Sequence, residues 1–270
     1  MSAVRQPAVA GQFYPGNRDA LSREIHNYTD AVKGAKLRAC GCVVPHAGYM
    51  YSGHVAGALY ARLELPKRYI ILCPNHTGWG KPLAILSEGS WRTPLGDAQV
   101  DTQLAESLKS GFSLLQEDAE AHVREHALEV QLPFLQLLAP DFRFVPITVG
   151  VGQFEVLSAL GIVLAKAIAA AEDDIMIIAS SDMNHYESDD ETRVKDALAL
   201  EQVLSLNPRG LFDTVHNEHI SMCGYGPTVA MLTAALRLGA QHAELIKYAT
   251  SGDVSGDHDH VVGYAAVAVS

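Results

Sequence analysis

A chain of 270 residues, 48% of them hydrophobic, has core enough to fold as one large α/β domain covering residues 1–270. Its 20 Lys and Arg stand against 31 Asp and Glu, a formal charge of -11. Without a basic run, that balance excludes the concentrated positive surface needed to bind nucleic acid or anionic lipid.

The N-terminal stretch Met1 to Tyr14 has a single Arg and a short run broken by Gly11 and Pro15, unlike a signal peptide. Leu21, Ile25, Tyr28 and Val32 then repeat with helical spacing behind an Asn17 cap. Cys40 to Val44 and Tyr69 to Cys73 are apolar on both faces, as strands covered by helices on either side must be. Val100, Leu104 and Leu108 stripe a helix that ends at Gly111. Glu125 to Val130 reads as an amphipathic helix with His126 and Glu129 three apart, followed by Pro133.

Arg143 to Val149 is the next strand, and Phe154, Leu157, Leu160, Leu164 and Ile168 mark the helix behind it. Asp174 to Ser180 is a further strand. Val229, Leu232 and Leu236 stripe a helix that Pro227 suits at its first turn. Ala243 to Tyr248 and Val261 to Val269 close the chain as strands. Strands alternating with helices predict a single three-layer α/β/α domain around a mostly parallel or mixed central sheet. No repeat, low-complexity stretch or linker divides it. No apolar segment approaches the ~20 residues of a bilayer span. Four scattered cysteines, Cys40, Cys42, Cys73 and Cys223, do not make a disulfide framework. A cytoplasmic protein with reduced thiols is expected.

Ligands of open α/β sheets bind beyond the carboxyl ends of the strands, and three segments put histidine there. His46 comes after Val43-Val44-Pro45, His76 after Cys73-Pro74-Asn75, and His185 after Ser180-Ser181-Asp182-Met183-Asn184. One such histidine is most simply a loop residue bonded to a carbonyl; three at equivalent positions point to a shared pocket. Cys223 precedes a helix, where the macrodipole favours a thiolate as ligand or nucleophile, although a small residue closing a tight turn explains it too. Cys40 and Cys42, on one strand face, and Cys73 read as core residues. His126 is a candidate for a role beside the pocket, either orienting a ligand or facing substrate. Gly256-Asp257-His258-Asp259-His260 reads as a solvated loop, and the remaining histidines as structural.

Taken in chain order, the motifs carry more. Ala10-Gly11-x-Phe13-Tyr14-Pro15, Pro45-His46-Ala47-Gly48-Tyr49 with Ser52-Gly53, Pro74-Asn75-His76, Arg92-Thr93-Pro94-Leu95-Gly96, Glu125-His126-x-x-Glu129-x-Gln131-Leu132-Pro133, Ser180-Ser181-Asp182-x-x-His185, Cys223-Gly224 and Val262-Gly263-Tyr264 span nearly the whole chain. Together they resemble the Memo family, known in prokaryotes as protein B of the AmmeMemoRadiSam system. That family is similar in fold to class III extradiol dioxygenases of the protocatechuate 4,5-dioxygenase type, which hold non-haem Fe(II) with two histidines and a glutamate.

In Memo proteins cysteine takes the glutamate's place. The resemblance therefore implies His46, His76 and Cys223 as metal ligands, with His185 as the acid/base histidine and Asp182 beside it. It implies Fe(II) as the cofactor, while the softer thiolate also suits Cu or Zn. It also implies redox or oxygen chemistry on a small molecule, with a radical-SAM protein as a functional partner. Two other readings compete with it. One is a non-enzymatic module that binds a peptide or carries a metal in the same pocket. The other is an amidase-like hydrolase in which His185 activates Cys223. A eukaryotic Memo protein has a histidine where this chain has Gly226, a departure beside the ligand cysteine.

Overall fold

The computed structural model describes residues 3–270. Four parallel strands form the centre of a 12-stranded mixed sheet: Arg143–Val149, Arg68–Pro74, Ile175–Ser180 and Gly41–Val44, in that spatial order. Their register aligns the carboxyl ends, with Pro74 opposite Val149, Leu72 opposite Ala179 and Val44 opposite Ser180. Val261–Val269 runs antiparallel beside Gly41–Val44, and both Ala243–Thr250 and the short His185–Glu187 strand pair with it. On the opposite side Gly96–Val100, Ser90–Thr93 and Val4–Arg5 extend the sheet.

Successive strand residues point to opposite faces, so an apolar strand feeds two cores. Val43, Ile70, Leu72, Val145 and Ile177 face the layer built by the helices Phe154–Ala169 and Tyr225–Arg237. Cys42, Val44, Ile71, Cys73, Phe144 and Ile178 face the layer of Arg18–Thr29, Tyr49–Arg62 and Leu132–Leu138. Each fully buried Leu or Ile contributes about 1.5–3 kcal/mol of transfer free energy. The Phe154–Ala169 and Tyr225–Arg237 helices cross closely at Gly161, where an added Cβ would come within 2.5 Å of the Ala230 carbonyl oxygen.

The α/β/α architecture and the six expected strands are present, and four expectations need correction. The first helix stops at Thr29, and Val32 lies beyond it in a turn, its N–H donating to the Thr29 carbonyl. Val100 ends a strand, because the Asp101 carboxylate accepts from the Leu104 N–H and starts the helix at Thr102. Glu125 and His126 are not helical; they lie between a single turn, Glu120–Val123, and the 3-10 turn Glu129–Gln131. Pro133 then opens the helix Leu132–Leu138 instead of ending one. Cys40 lies at a bend before its strand and packs on the opposite face from Cys42, its Sγ donating to the Val269 carbonyl.

Candidate metal centre

The aligned strand ends place His46, His76 and Cys223 together. One ligand atom from each, a ring nitrogen or the sulfur, lies within 4.8 Å of the others. The His46 backbone N–H donates to Asp182 Oδ1 at 2.7 Å, tying two strand-end loops together. Its ring Nδ1 lies 3.0 Å from Ser180 Oγ. That hydroxyl already donates to the Ala127 carbonyl at 2.6 Å and accepts from Gln131 Nε2 at 2.9 Å. Its single proton is therefore occupied, so it accepts from His46 and the proton sits on Nδ1. The His46 Nε2 is left as a bare lone pair, 3.2 Å from Cys223 Sγ.

His76 is oriented in the same way by a different group. Its backbone N–H donates to Glu125 Oε2 at 2.6 Å and its ring Nδ1 to Oε1 at 2.9 Å. The Ala127 N–H also donates to Glu125 Oε1, at 2.9 Å. Glu125 is fully buried with both oxygens occupied, and it leaves His76 Nε2 free. The His126 ring stacks on His76 with centroids 4.8 Å apart and an interplanar angle of 15°. His76, Glu125 and His126 form a second group close enough to hold a metal, but the engaged Glu125 oxygens make it the poorer cradle.

Gly224 sets the position of Cys223. The Gly224 N–H donates to Ser181 Oγ at 3.0 Å, and a Cβ on Gly224 would fall 2.5 Å from the Ser180 carbonyl oxygen and 2.3 Å from Ser181 Cβ. Only glycine lets this turn press against the strand end and bring the sulfur to the imidazole. The helix begins at Tyr225 with Gly224 as its cap, so Cys223 lies two residues before its start. Burial pushes its thiol up, against the lowering expected from a helix N-terminus. A bound cation is what would favour the thiolate here.

Burial holds the His46 ring well below the ordinary imidazole range, aided by the neighbouring rings of His76, His126 and His185. Burial alone would lower His76 too, but the Glu125 carboxylate on its ring raises it, while the same contact lowers Glu125. Burial lifts the Asp182 carboxyl to about 7, opposed by the His46 N–H, and lowers both His126 and His185.

His185 lies in the short strand His185–Glu187, with Nδ1 3.0 Å from the Ser221 carbonyl and its N–H donating to Ser221 Oγ at 2.8 Å. The carbonyl can only accept, so the ring proton is on Nδ1 and Nε2 is free to take another. His46, His76, His126, Asp182, His185 and Cys223 all line one cavity of about 570 Å³. All six expected site residues therefore meet. Glu129, paired with His126 in the sequence pattern, is elsewhere: it accepts from the Ala8 and Val9 N–H groups and the Tyr14 hydroxyl, and pairs with Arg5, clamping the N-terminal segment. The Asp257–His260 loop is exposed and, among the described residues, joins no three-residue metal group.

The donor set fits a metal ion. In a tetrahedral site with ordinary metal–nitrogen and metal–sulfur bonds, N and S ligand atoms lie about 3.5 Å apart, close to the separation of His46 Nε2 and Cys223 Sγ. Sequence reasoning missed Glu125, Ser180 and Gln131 as the groups that fix the ligand rings. The signal for Glu125 and Gln131 was present in the Glu125–Gln131 motif, hidden by a helical reading of that segment, and Ser180 lay in the Ser180-Ser181-Asp182 motif.

Fold and site together define an α/β protein whose strand ends carry a cradle of two imidazoles and one thiol. The chain belongs to the Memo-like protein family, which matches residues 5–268. A MEMO1 family protein of Methanosarcina mazei is 44% identical over 98% of this chain and 99% of its own length. Another, from Methanocaldococcus jannaschii, is 41% identical over the whole of both chains. The crystal structure of an uncharacterized protein from Escherichia coli K12 shares the fold with a TM-score of 0.58, 13% identity and coverage of 84% of this chain and 98% of that one. No helix among the described residues is long and apolar enough to cross a membrane.

Proposed function

We propose that the protein holds a single metal ion, Fe(II), on His46 Nε2, His76 Nε2 and Cys223 Sγ and uses it for redox or dioxygenase-type chemistry on a small molecule. The observation that carries this reading is the double tautomer lock. Two unrelated groups, Ser180 and Glu125, each occupy the Nδ1 of one histidine and leave its Nε2 free, with His46 Nε2 3.2 Å from the Cys223 sulfur and one His76 ring nitrogen within 4.8 Å of both. Iron bound there would supply a redox-active centre with open coordination positions. His185, its Nδ1 bonded to the Ser221 carbonyl, accepts or returns a proton at Nε2. Asp182 braces the His46 backbone, and its second oxygen lies 3.9 Å from His46 Nε2. His126, stacked on His76, lines the same cavity as the proposed ligands.

The hydrolase reading fits less well. The imidazole beside the Cys223 sulfur is His46 rather than His185, and burial works against an activated thiolate. Anaerobic purification followed by elemental analysis separates the readings. Near-stoichiometric iron that is lost in His46→Ala and Cys223→Ala supports the metal centre. Metal-free protein with a hydrolase activity abolished by thiol alkylation contradicts it. Iron present in full, with no oxygen uptake on any small-molecule panel, favours a binding module in the same pocket.

A further inference from the structure

Tyr186 stands in the wall of the same cavity, 75% exposed and with φ of +63°. A bulky residue in the left-handed region is strained, and a ring held in water gains the fold nothing. Its position comes from an irregular strand pairing. His185 opposes Val262 and Glu187 opposes Val261, so the register shifts at residue 186 and leaves it without a partner. Such bulges turn a side chain out of the ladder, often beside a binding site. Glycine would occupy that conformation at no steric cost, yet the sequence has tyrosine.

The rest of the cavity wall is suited to a ring without charge. Phe13, Val262 and Tyr264 line it with Tyr186, and the Phe13 ring lies 4.8 Å from that of His126. Among the described residues no Lys or Arg lines the cavity, so a fixed anion on a ligand would meet no permanently charged side-chain counter-ion there. The acids give little to a cation. Glu125 is behind His76 with both oxygens engaged, and Asp182 has Oδ1 held by the His46 N–H, leaving Oδ2 beside the His46 ring.

We propose that this cavity takes an uncharged planar ring compound and that Tyr186 is the platform on which the ring lies. The proposal names the ligand class of the pocket beside the proposed metal centre and rests on that pocket, but not on the identity of its metal.

Binding is measured by calorimetry with three naphthalene probes of matched shape, bearing a hydroxymethyl, a carboxylate or an aminomethyl group. The proteins are wild type, Tyr186→Gly and Tyr186→Phe, each in the metal-free state, with metal uptake titrated separately. The hydroxymethyl probe is expected to bind about tenfold more tightly than either charged one. Tyr186→Gly is expected to weaken it by up to about tenfold, the range of one aromatic contact, and Tyr186→Phe to keep it. Tyr186→Gly should melt no lower than wild type, because glycine relieves the left-handed strain. Unchanged probe affinity in Tyr186→Gly overturns the proposal, as does tighter binding of the carboxylate or aminomethyl probe. Failure of wild type to take up metal, with ring binding intact, overturns the metal reading and leaves this one standing.

Discussion

At the scale of single residues, the proposed metal centre depends on groups that would not touch the ion. Glu125 holds His76 through its backbone and its ring, and Ser180 holds His46 with its one proton directed at Ala127. Glu125→Gln keeps the shape but removes the charge and one acceptor, so metal affinity should fall by about 10–100-fold in a competitive chelator titration. Unchanged affinity would mean that the carboxylate only packs the core. The two cradle histidines were legible in the sequence because a strand end is a local property: Pro45-His46 and Pro74-Asn75-His76 each come directly after an apolar run. Glu125 was not, since it reaches His76 from a segment 49 residues away whose spacing imitates a helix. Tyr186 was equally hidden, because nothing in a local pattern announces a bulge.

At the scale of elements, two contacts fix where the site is built. Gly161 lets the Phe154–Ala169 helix lie against Tyr225–Arg237, which carries Cys223 at its entrance. Gly161→Val forces a Cβ onto the Ala230 carbonyl and should destabilise the fold by about 1–3 kcal/mol in a denaturant titration. The Asp101 cap is the second. Asp101→Ala removes the acceptor for the Leu104 N–H and the closer of Arg68's two carboxylate partners, leaving only Asp173 at 3.7 Å, so a loss of about 1–2 kcal/mol is expected with metal uptake unchanged. That cap marks where sequence reading slipped by two residues: Val100 fits the helical stripe, and only the Asp101 side chain decides that the helix begins after it. Long elements with apolar residues on both faces, such as Arg143–Val149 and Val261–Val269, were readable to the residue.

At the scale of the whole molecule, stability should depend on pH through a buried acid away from the cradle. Asp196 accepts from the Asn184 N–H and the Tyr248 hydroxyl, and burial raises it to about 7. An unfolded aspartate titrates near 3.9, so between about 4 and 7 the folded chain binds more protons than the unfolded one. This group's contribution is fully present below about 4 and is lost as pH rises through 7. Asp196→Asn should flatten that part of the stability curve relative to wild type, and identical slopes would show that Asp196 is ionised throughout. The sheet as a whole explains why one pocket collects residues so distant in sequence: aligned parallel strands deliver His46, His76 and Asp182 to one rim, and a helix entrance adds Cys223.

Two imidazoles and one thiolate of this chain are proposed to bind a single metal ion. X-ray absorption at the metal edge of the anaerobically purified protein tests it most directly. One sulfur near 2.3 Å and at least two nitrogen neighbours near 2.1 Å are expected, with the sulfur shell absent in Cys223→Ala. A metal surrounded only by oxygen and nitrogen in the wild type, or a sulfur shell that survives Cys223→Ala, would contradict it.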